Sequence, residues 1–262
     1  MQDLERAAQR IAAARLAGAP LGCLPESERP PDEAAAYRVQ DRLHEILTRA
    51  GQGPLAGHKI GCTTPVMQRY LGIPNPCSGG VFARAVHASP AALAHGGFRR
   101  VGVECEIAVR IAVDLDPADA PFAADRMADV VAACMPAVEI VDDRYADWRR
   151  TDTPTLIADD FFAAGCVLGA PVARGRWPDL ASVTGTTRIG GCVVGQGRGA
   201  DVMGHPFRAL AWLANALAGR GRGLRRGEFV LTGSLVETRW LAAGDRVSVE
   251  IAGLGEVSAD FA

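Results

Sequence analysis

Two glutamates in a strand-like segment are the first residues in this sequence that could do chemistry. Residues 101–111 alternate between apolar side chains and a second face that carries Glu104 and Glu106, and this period of two is typical of a β-strand. The two acids lie roughly 6.5–7 Å apart along the backbone and repel each other unless a cation or water lies between them. A third acid, Glu139, interrupts the apolar run 135–141, where an unpaired carboxylate would be costly to bury.

Three carboxylates on strands would form an all-oxygen site suited to Mg²⁺ or Mn²⁺, with coordination positions left for water or a ligand. The alternative is that Glu104 and Glu106 mark a solvated sheet face and that Glu139 pairs with a nearby arginine. Spacing alone leaves both interpretations open.

Lys59 is the only lysine in the chain, and every other strongly basic residue is an arginine. Lysine can release and take up a proton whereas arginine effectively cannot, so a single retained lysine is a candidate acid–base group. Gly57 and Gly61 flank it, and glycines permit a close approach of the backbone to a ligand. An incidental surface lysine is the alternative, and the count by itself favours neither.

The chain that must position these groups has 262 residues, 48% of them hydrophobic, which is enough for a sizeable core. We expect one domain, with a helical segment at 1–56 and a β-rich catalytic core at 57–262. The net charge of −2 gives no electrostatic case for nucleic acid or a membrane surface as partner, and no apolar run reaches the roughly 18 residues of a membrane span. Seven scattered cysteines without a Cys-x-x-Cys pair predict reduced thiols and, without a signal peptide, a cytoplasmic protein.

Residue periodicity and turn signals predict helices at 2–18, 32–50, 65–71 and in a segment that opens at 204, and strands through 59 and over 81–86, 101–111, 188–194, 229–234, 246–251 and 257–261. Helical spacing is also expected over 127–134, just before the Glu139 strand. Asp159 and Asp160 are expected at a helix N-terminus. The polar and aromatic run 144–150 is expected at a sheet edge, and the alternative is that it forms the wall of a cleft. A polar loop after 229–234 could hold a carboxylate through its N–H and hydroxyl groups.

Five short motifs carry a resemblance to a known family: Gly-His-Lys-Ile-Gly-Cys-Thr at 57–63, Glu-Cys-Glu-Ile-Ala at 104–108, Pro-Ala-Val-Glu-Ile-Val at 136–141, Gly-His-Pro at 204–206 and Leu-Thr-Gly-Ser at 231–234. In this order and spacing they resemble the 2-keto-4-pentenoate hydratase / 4-oxalocrotonate decarboxylase family of the fumarylacetoacetate-hydrolase-like superfamily. The similarity covers nearly the whole chain, from about residue 4 to residue 261. Each motif is weak alone, but the ordered set is specific.

This resemblance implies an α+β fold, with a mixed β-roll or sandwich core and an N-terminal helical segment, in a homo-oligomer. It also implies a lyase for small 2-oxo or 2-hydroxy-dienoic acids in aromatic catabolism, most simply a 2-keto-4-pentenoate (2-hydroxypenta-2,4-dienoate) hydratase. The implied site residues are the metal ligands Glu104, Glu106 and Glu139 for Mg²⁺ or Mn²⁺, the catalytic Lys59, and the substrate-binding residues Gly61, Gly233, Ser234 and Phe162. The metal would act as a Lewis acid. Lys59 would move a proton or stabilise the oxyanion. The metal and burial would lower the pKa of Lys59, and the nearby acids would oppose this shift.

Two places depart from the family pattern. Where the hydratases usually have an aspartate after the lysine motif this chain has Cys77, and in place of Ala-Asp-Asn-Ala-Ser it has Ala-Asp-Asp-Phe-Phe at 158–162. The exchange predicts a more apolar pocket with fewer groups to position a water. Two alternatives therefore stay open: a 2-oxo-acid decarboxylase of the 4-oxalocrotonate type, and an inactive partner subunit of such an enzyme. A second enzyme of the same pathway is the expected partner if there is one.

Overall fold

The structure, a computed structural model, describes residues 2–262. Two helices begin at the caps that the sequence predicts: Asp32 accepts a hydrogen bond from the N–H of Ala35, and Thr64 from that of Met67. The helices are α1 (Gln2–Ala17), α2 (Glu33–Leu47), α3 (Pro65–Leu71), α4 (Thr153–Ala158) and α5 (Pro206–Ala218). None of the helices within residues 2–262 is long and apolar enough to cross a membrane.

The strands all follow α2. They are β1 (Leu55–Gly61), β2 (Cys77–Phe82), β3 (Val86–Ala88), β4 (Ala91–Leu93), β5 (Val101–Ile111), β6 (Val131–Asp142), β7 (Ala163–Leu168), β8 (Val172–Ala173), β9 (Thr184–Ile189), β10 (Cys192–Arg198), β11 (Phe229–Trp240), β12 (Asp245–Ile251) and β13 (Gly255–Phe261). Helices therefore precede a β-rich region, as expected, and the assignment of the chain to one domain stays a prediction.

β5 lies near the centre of an eight-stranded sheet with the order β2-β1-β11-β5-β6-β7-β3, to which β8 is added by pairing with β6. β5 is antiparallel to both β11 and β6, whereas β1 and β11 are parallel. A second, five-stranded sheet has the order β10-β9-β12-β13-β4. Separate helices with two sheets of this kind confirm the predicted α+β class.

The apolar face of β5 lies in the main core. Val103 and Ile107 are buried there together with Val249 of β12 and Leu213 of α5, so this core lies between the large sheet, the small sheet and α5. A second apolar cluster joins α1, α2 and α4 and includes Phe161. Because side chains alternate along a strand, the face of β5 that carries its two glutamates points away from the main core.

The strand predicted at 81–86 is interrupted, because β2 ends at Phe82 and a 3-10 helix over Ala83–Ala85 separates it from β3. Two further predicted elements are wrong because pairing with other strands overrides local spacing. Instead of a helix over 127–134, a 3-10 helix ends at Val130 and β6 begins at Val131, which pairs with Ile111 of β5. The strand predicted at 188–194 is a hairpin that turns at Gly190 and Gly191, with φ values of 57° and 82°. Two successive positive φ angles suit the tight turns that join antiparallel strands.

Candidate active site

The three predicted metal-binding acids meet in the structure. β5 and β6 place Glu104 directly opposite Glu139, and Glu106 follows on the same face of β5. One carboxylate oxygen from each residue lies within 4.8 Å of the others. Glu106 and Glu139 are fully buried, while Glu104 is partly exposed. The alternative of a solvated acidic face is therefore wrong for Glu106.

Burial and mutual repulsion disfavour three ionised carboxylates at this position unless a cation joins them. Burial raises the pKa of Glu106 well above its ordinary value, and the carboxylates of Glu139 and Glu104 raise it further. Burial also raises the pKa of Glu139, although Lys59 acts in the opposite direction. Glu106 Oε1 and Glu139 Oε2 have no hydrogen-bond partner among the described residues. Convergent and unpartnered carboxylate oxygens are the ligands that Mg²⁺ and similar divalent cations prefer.

Lys59 lies beside these acids. Its Nζ is 3.0 Å from Glu139 Oε1, and the residue is only 2% exposed, so it is not an incidental surface lysine. Glu139 therefore pairs with this lysine and not with an arginine, which is the alternative for that acid. Burial favours the neutral amine, but the carboxylates of Glu139 and Glu104 outweigh it and raise the pKa of Lys59 above its ordinary value. A lowered pKa is expected for Lys59 from the metal and burial. The protein side chains alone have the opposite effect, because an acid lies within ion-pair distance of Nζ.

Gly233 holds one of the acids in place. Its N–H donates a hydrogen bond of 2.7 Å to Glu106 Oε2. The residue has a φ of +120°, and a Cβ there would lie 2.5 Å from Thr63 Cγ2, so a side chain does not fit. β11 shifts its register on β5 around this residue and continues beyond it, where a loop is predicted. The Gly233 N–H, which is expected to bind substrate, thus donates to Glu106 instead. The Ser234 hydroxyl donates to a backbone carbonyl of β11.

A cavity of about 680 Å³ opens beside Lys59. Gly61, Ser234 and Phe162, three of the four residues predicted to bind substrate, line this cavity, whereas Gly233 does not. Several residues that were not predicted as site residues complete its wall, among them Thr63, Met67, Trp148, Phe161 and Trp240.

Trp148 belongs to the run 144–150, for which a sheet edge is the favoured prediction. Its ring lines the cavity instead, so the cleft wall, which is the alternative for this run, is correct at this residue. The guanidinium of Arg149 stacks on the ring at 5.0 Å from its centroid. The signal that could have identified Trp148 is its residue type, since tryptophan is on average highly buried even among charged neighbours.

Phe161 and Phe162 reach the cavity through a left-handed backbone segment. Residues 160–162 have φ values of 56°, 47° and 67°, a conformation that is uncommon and strained for residues with a Cβ. Asp160 is fully buried and holds the segment: it accepts a hydrogen bond of 2.8 Å from Gly80 N–H and pairs with Arg15 at 3.0 Å and His44 at 2.6 Å. The expected helix N-terminus at the two aspartates is wrong, because α4 ends just before them.

The charges around the two aspartates make this support rigid. Burial would raise the pKa of Asp160, but His44 and Arg15 lower it below its ordinary value. Asp159 is buried beside it and pairs with Arg15 and Arg144. Buried ion pairs are strongly destabilised when one partner is removed, so this network resists the rearrangement that would relax the strained segment.

A family model described as Fumarylacetoacetate (FAA) hydrolase C-terminal matches residues 81–262, the part of the chain that carries the three acids. This chain belongs to the fumarylacetoacetate hydrolase family. The match leaves Lys59 outside, but similarity to individual proteins covers the N-terminal part of this chain as well.

Two relatives and one solved structure extend the similarity. The 2-keto-4-pentenoate hydratase of Burkholderia vietnamiensis is 32% identical over 256 residues, which cover 97% of this chain and 95% of that protein. The 2-keto-4-pentenoate hydratase 2 of Dechloromonas aromatica is 34% identical over 264 residues, with 98% and 97% covered. The structure of 4-oxalocrotonate decarboxylase from Pseudomonas putida G7, complexed with magnesium and adipate, has a TM-score of 0.92 and 27% identity and covers 100% of this chain and 98% of that one. The family predicted from the five motifs is confirmed, and so is its fold.

Proposed function

We propose that this member of the fumarylacetoacetate hydrolase family is a divalent-metal-dependent lyase, which hydrates 2-keto-4-pentenoate or a related 2-hydroxy-dienoic acid in aromatic-compound catabolism. The observation that carries the proposal is the convergence of three carboxylates within 4.8 Å, with Lys59 Nζ 3.0 Å from Glu139. Glu104 and Lys59 also line the cavity. The similarity to two hydratases over nearly the whole chain supports hydration as the reaction.

Glu104, Glu106 and Glu139 would hold the metal ion, for which we propose Mg²⁺ or Mn²⁺. The fit rests on the unpartnered buried oxygens Glu106 Oε1 and Glu139 Oε2 and on a donor set made of carboxylates alone. The magnesium in the similar decarboxylase structure supports the choice of ion. When bound, such an ion supplies Lewis-acid polarisation of the carboxylate and the adjacent oxygen of the substrate.

Lys59 is the group that would move the proton which hydration places on the carbon chain. Its Nζ lies beside the three acids, 3.0 Å from Glu139 Oε1, and the residue lines the cavity. From there an ammonium group can donate a proton to the substrate or stabilise a negatively charged oxygen. Gly61 keeps the space beside Nζ open, since a Cβ at this position would lie 3.4 Å from Lys59 Nζ and 3.1 Å from Phe161 Cδ1. We therefore assign the proton transfer to Lys59 and close contact with the substrate to Gly61.

The other predicted substrate-binding residues divide into two roles. Gly233 would act through Glu106, because its N–H donates to that carboxylate. Ser234 and Phe162 line the cavity and would contact the substrate directly, Ser234 at the polar end and Phe162 as an apolar surface.

Decarboxylation of a 2-oxo acid of the 4-oxalocrotonate type is the second candidate, because the decarboxylase structure matches the whole chain. An inactive partner subunit has less support, since the chain keeps three converging acids and the lysine beside them. Three properties stay predictions: a homo-oligomeric state, a location in the cytoplasm, and a pathway enzyme as the partner if there is one. Sedimentation of the purified protein would test the oligomeric state.

Two incubations with Mg²⁺ test the reaction, one with 2-hydroxypenta-2,4-dienoate and one with 4-oxalocrotonate. We expect loss of dienol absorbance in the first and no release of CO₂ in the second. Release of CO₂ would assign the protein to the second candidate, and turnover of neither compound would exclude both of these small acids as substrates. Calorimetric titration of the protein with Mg²⁺ tests the remaining alternative, an inactive partner subunit. Such a subunit, without a working site, would bind no metal.

A further inference from the structure

The cavity has two chemically different ends. Lys59 and Glu104 lie at the polar end. An aromatic group made of Phe161, Phe162 and Trp148 begins beside it, because the Phe161 ring centroid is 5.5 Å from Lys59 Nζ, and forms another part of the wall. The rings pack edge to face: the Phe161 and Phe162 centroids are 5.4 Å apart, and those of Trp148 and Phe162 are 6.0 Å apart. Such a wall offers apolar contact and no hydrogen bond to a polar group of a ligand, apart from the indole N–H.

The left-handed backbone at 160–162 makes this aromatic wall a fixed feature. The buried Asp160 accepts from Gly80 N–H and pairs with Arg15 and His44, so the two phenylalanines cannot easily turn away from the cavity. A wall held in this way is preorganised for a ligand that it contacts, which reduces the ordering that binding would otherwise require.

The charges around the cavity disfavour a second carboxylate on the ligand. Lys59 is the only basic residue among those that line the cavity, and its Nζ is already 3.0 Å from Glu139. Arg149 stacks on Trp148 but does not line the cavity itself. Two exposed acids, Asp201 and Glu237, also belong to the lining, and like charges in a confined site repel.

The size of the cavity exceeds what a five-carbon acid needs. Its volume of about 680 Å³ falls within the ~300–1,000 Å³ of pockets that enclose drug-sized ligands. A five-carbon dienoate held by its carboxylate end at the three glutamates would lie beside Phe161, whose ring centroid is 5.5 Å from Lys59 Nζ, and would leave much of this volume unfilled. A longer ligand chain could continue along the rings of Phe162 and Trp148, which follow Phe161 in the aromatic group.

We propose that the substrate is a monocarboxylic 2-hydroxy- or 2-oxo-dienoic acid with a bulky apolar, preferably aromatic, substituent at the end remote from the carboxylate. Phe162 and Trp148 are the residues that bind this substituent and so determine specificity. The proposal rests on the proposed function, because the orientation of the ligand follows from a carboxylate end placed at the three glutamates.

Binding of saturated 2-oxo acids, which lack the double bonds that hydration needs, tests the proposal without turnover. Isothermal calorimetry on the Mg²⁺-loaded protein would compare oxalate, 2-oxopentanoate, 2-oxo-5-phenylpentanoate and 2-oxohexanedioate. We expect the phenyl compound to bind about tenfold or more tightly than 2-oxopentanoate, because its ring becomes buried, and the dicarboxylate to bind more weakly than 2-oxopentanoate.

Variants locate the effect at the aromatic wall. Phe162→Ser should reduce the phenyl preference to about threefold or less, and Trp148→Leu serves the same purpose if the first variant does not fold. Phe98→Ser is the matched control, since Phe98 is also half-buried but packs near Phe261, in the main core, and does not line this cavity. This control should keep the full preference.

The outcomes separate the two proposals. If oxalate does not bind in the presence of Mg²⁺, the proposed function fails and this inference falls with it. If oxalate binds but the phenyl group gives no gain, or the dicarboxylate binds best, the inference about the substrate is wrong while the metal site stands. A phenyl preference that survives both wall variants would also overturn the assignment to Phe162 and Trp148.

Discussion

Lys59 Nζ lies 3.0 Å from Glu139 Oε1 although the two residues belong to strands that are not neighbours. β1 and β6 are separated by β11 and β5 in the large sheet, so in a flat sheet they would lie about 14 Å apart, with side chains roughly perpendicular to the sheet. The contact therefore requires the sheet to curl around the site. The register shift of β11 next to Gly233 is one place where this curl is introduced, since irregular pairing bends a strand.

Lys59→Arg should fold but lose activity. The guanidinium keeps a positive charge beside Glu139 but cannot release a proton, so kcat for the dienoic acid is expected to fall about 100-fold or more. Steady-state kinetics measures this loss, and the melting temperature checks the fold. Turnover within about threefold of the wild type would remove Lys59 from the proton transfer.

Glu106→Gln should abolish Mg²⁺ binding and leave the fold intact. The amide keeps the shape of the side chain and an oxygen for the Gly233 N–H, but it removes one of three converging negative charges. We therefore expect the metal-free variant to melt no lower than the wild type, and calorimetry to show no heat of Mg²⁺ binding. Glu256→Gln, at an exposed glutamate of β13, should bind Mg²⁺ normally. Retained affinity in Glu106→Gln would mean that Glu106 is not a ligand.

Gly233→Ala should weaken Mg²⁺ binding through Glu106. Gly233 and Gly255 have similar φ values, +120° and +110°, but a Cβ at Gly233 would meet Thr63 Cγ2 at 2.5 Å, whereas nothing lies within 4 Å at Gly255. Alanine at either position should lower the free energy of unfolding by about 1–3 kcal/mol through backbone strain, and Gly233→Ala should lower it further because of the contact with Thr63. Only Gly233→Ala should also lose about tenfold in Mg²⁺ affinity. Equal affinities in the two variants would show that the Gly233 hydrogen bond does not orient a ligand.

Asp160→Asn should destabilise the protein at neutral pH and flatten its acid denaturation. His44 and Arg15 keep the pKa of Asp160 in the folded protein below its ordinary value, with Arg144 also close through Asp159. The unfolded chain therefore binds this proton first as pH falls. The contribution of ionised Asp160 to the free energy of unfolding is fully present above pH ~5. It is lost as pH falls through about 4 towards the pKa of Asp160 in the folded protein.

Urea denaturation between pH 7 and pH 3 measures this effect. The variant should lose about 3 kcal/mol of unfolding free energy at pH 7, as expected when one partner leaves a buried ion pair, and the difference from the wild type should shrink at the lowest pH. A difference that stays constant over the whole range would contradict the ionisation assigned to Asp160.

Local patterns are sufficient to predict several elements of this fold. The alternation of residues 101–111 predicts β5 and both of its faces, because side chains alternate along any strand whatever it pairs with. Thr64 followed by Pro65 predicts the start of α3, since capping depends on residues only three positions apart. Where spacing is compatible with two structures, as just before Glu139, the pairing of Val131 with Ile111 decides for the strand.

The sequence by itself predicts the chemistry of the site. It shows three acids in apolar strands, one lysine between glycines, and motifs in the order of a known family. The distances among the acids and the lysine follow from the register of β5 on β6 and the curl of the large sheet, and the position of Phe162 follows from the left-handed segment at 160–162. Periodicity and capping are properties of near neighbours in the chain and can be read directly from it. Register, curvature and the orientation of Phe162 depend on contacts between residues far apart in sequence, and these form only when the whole protein packs.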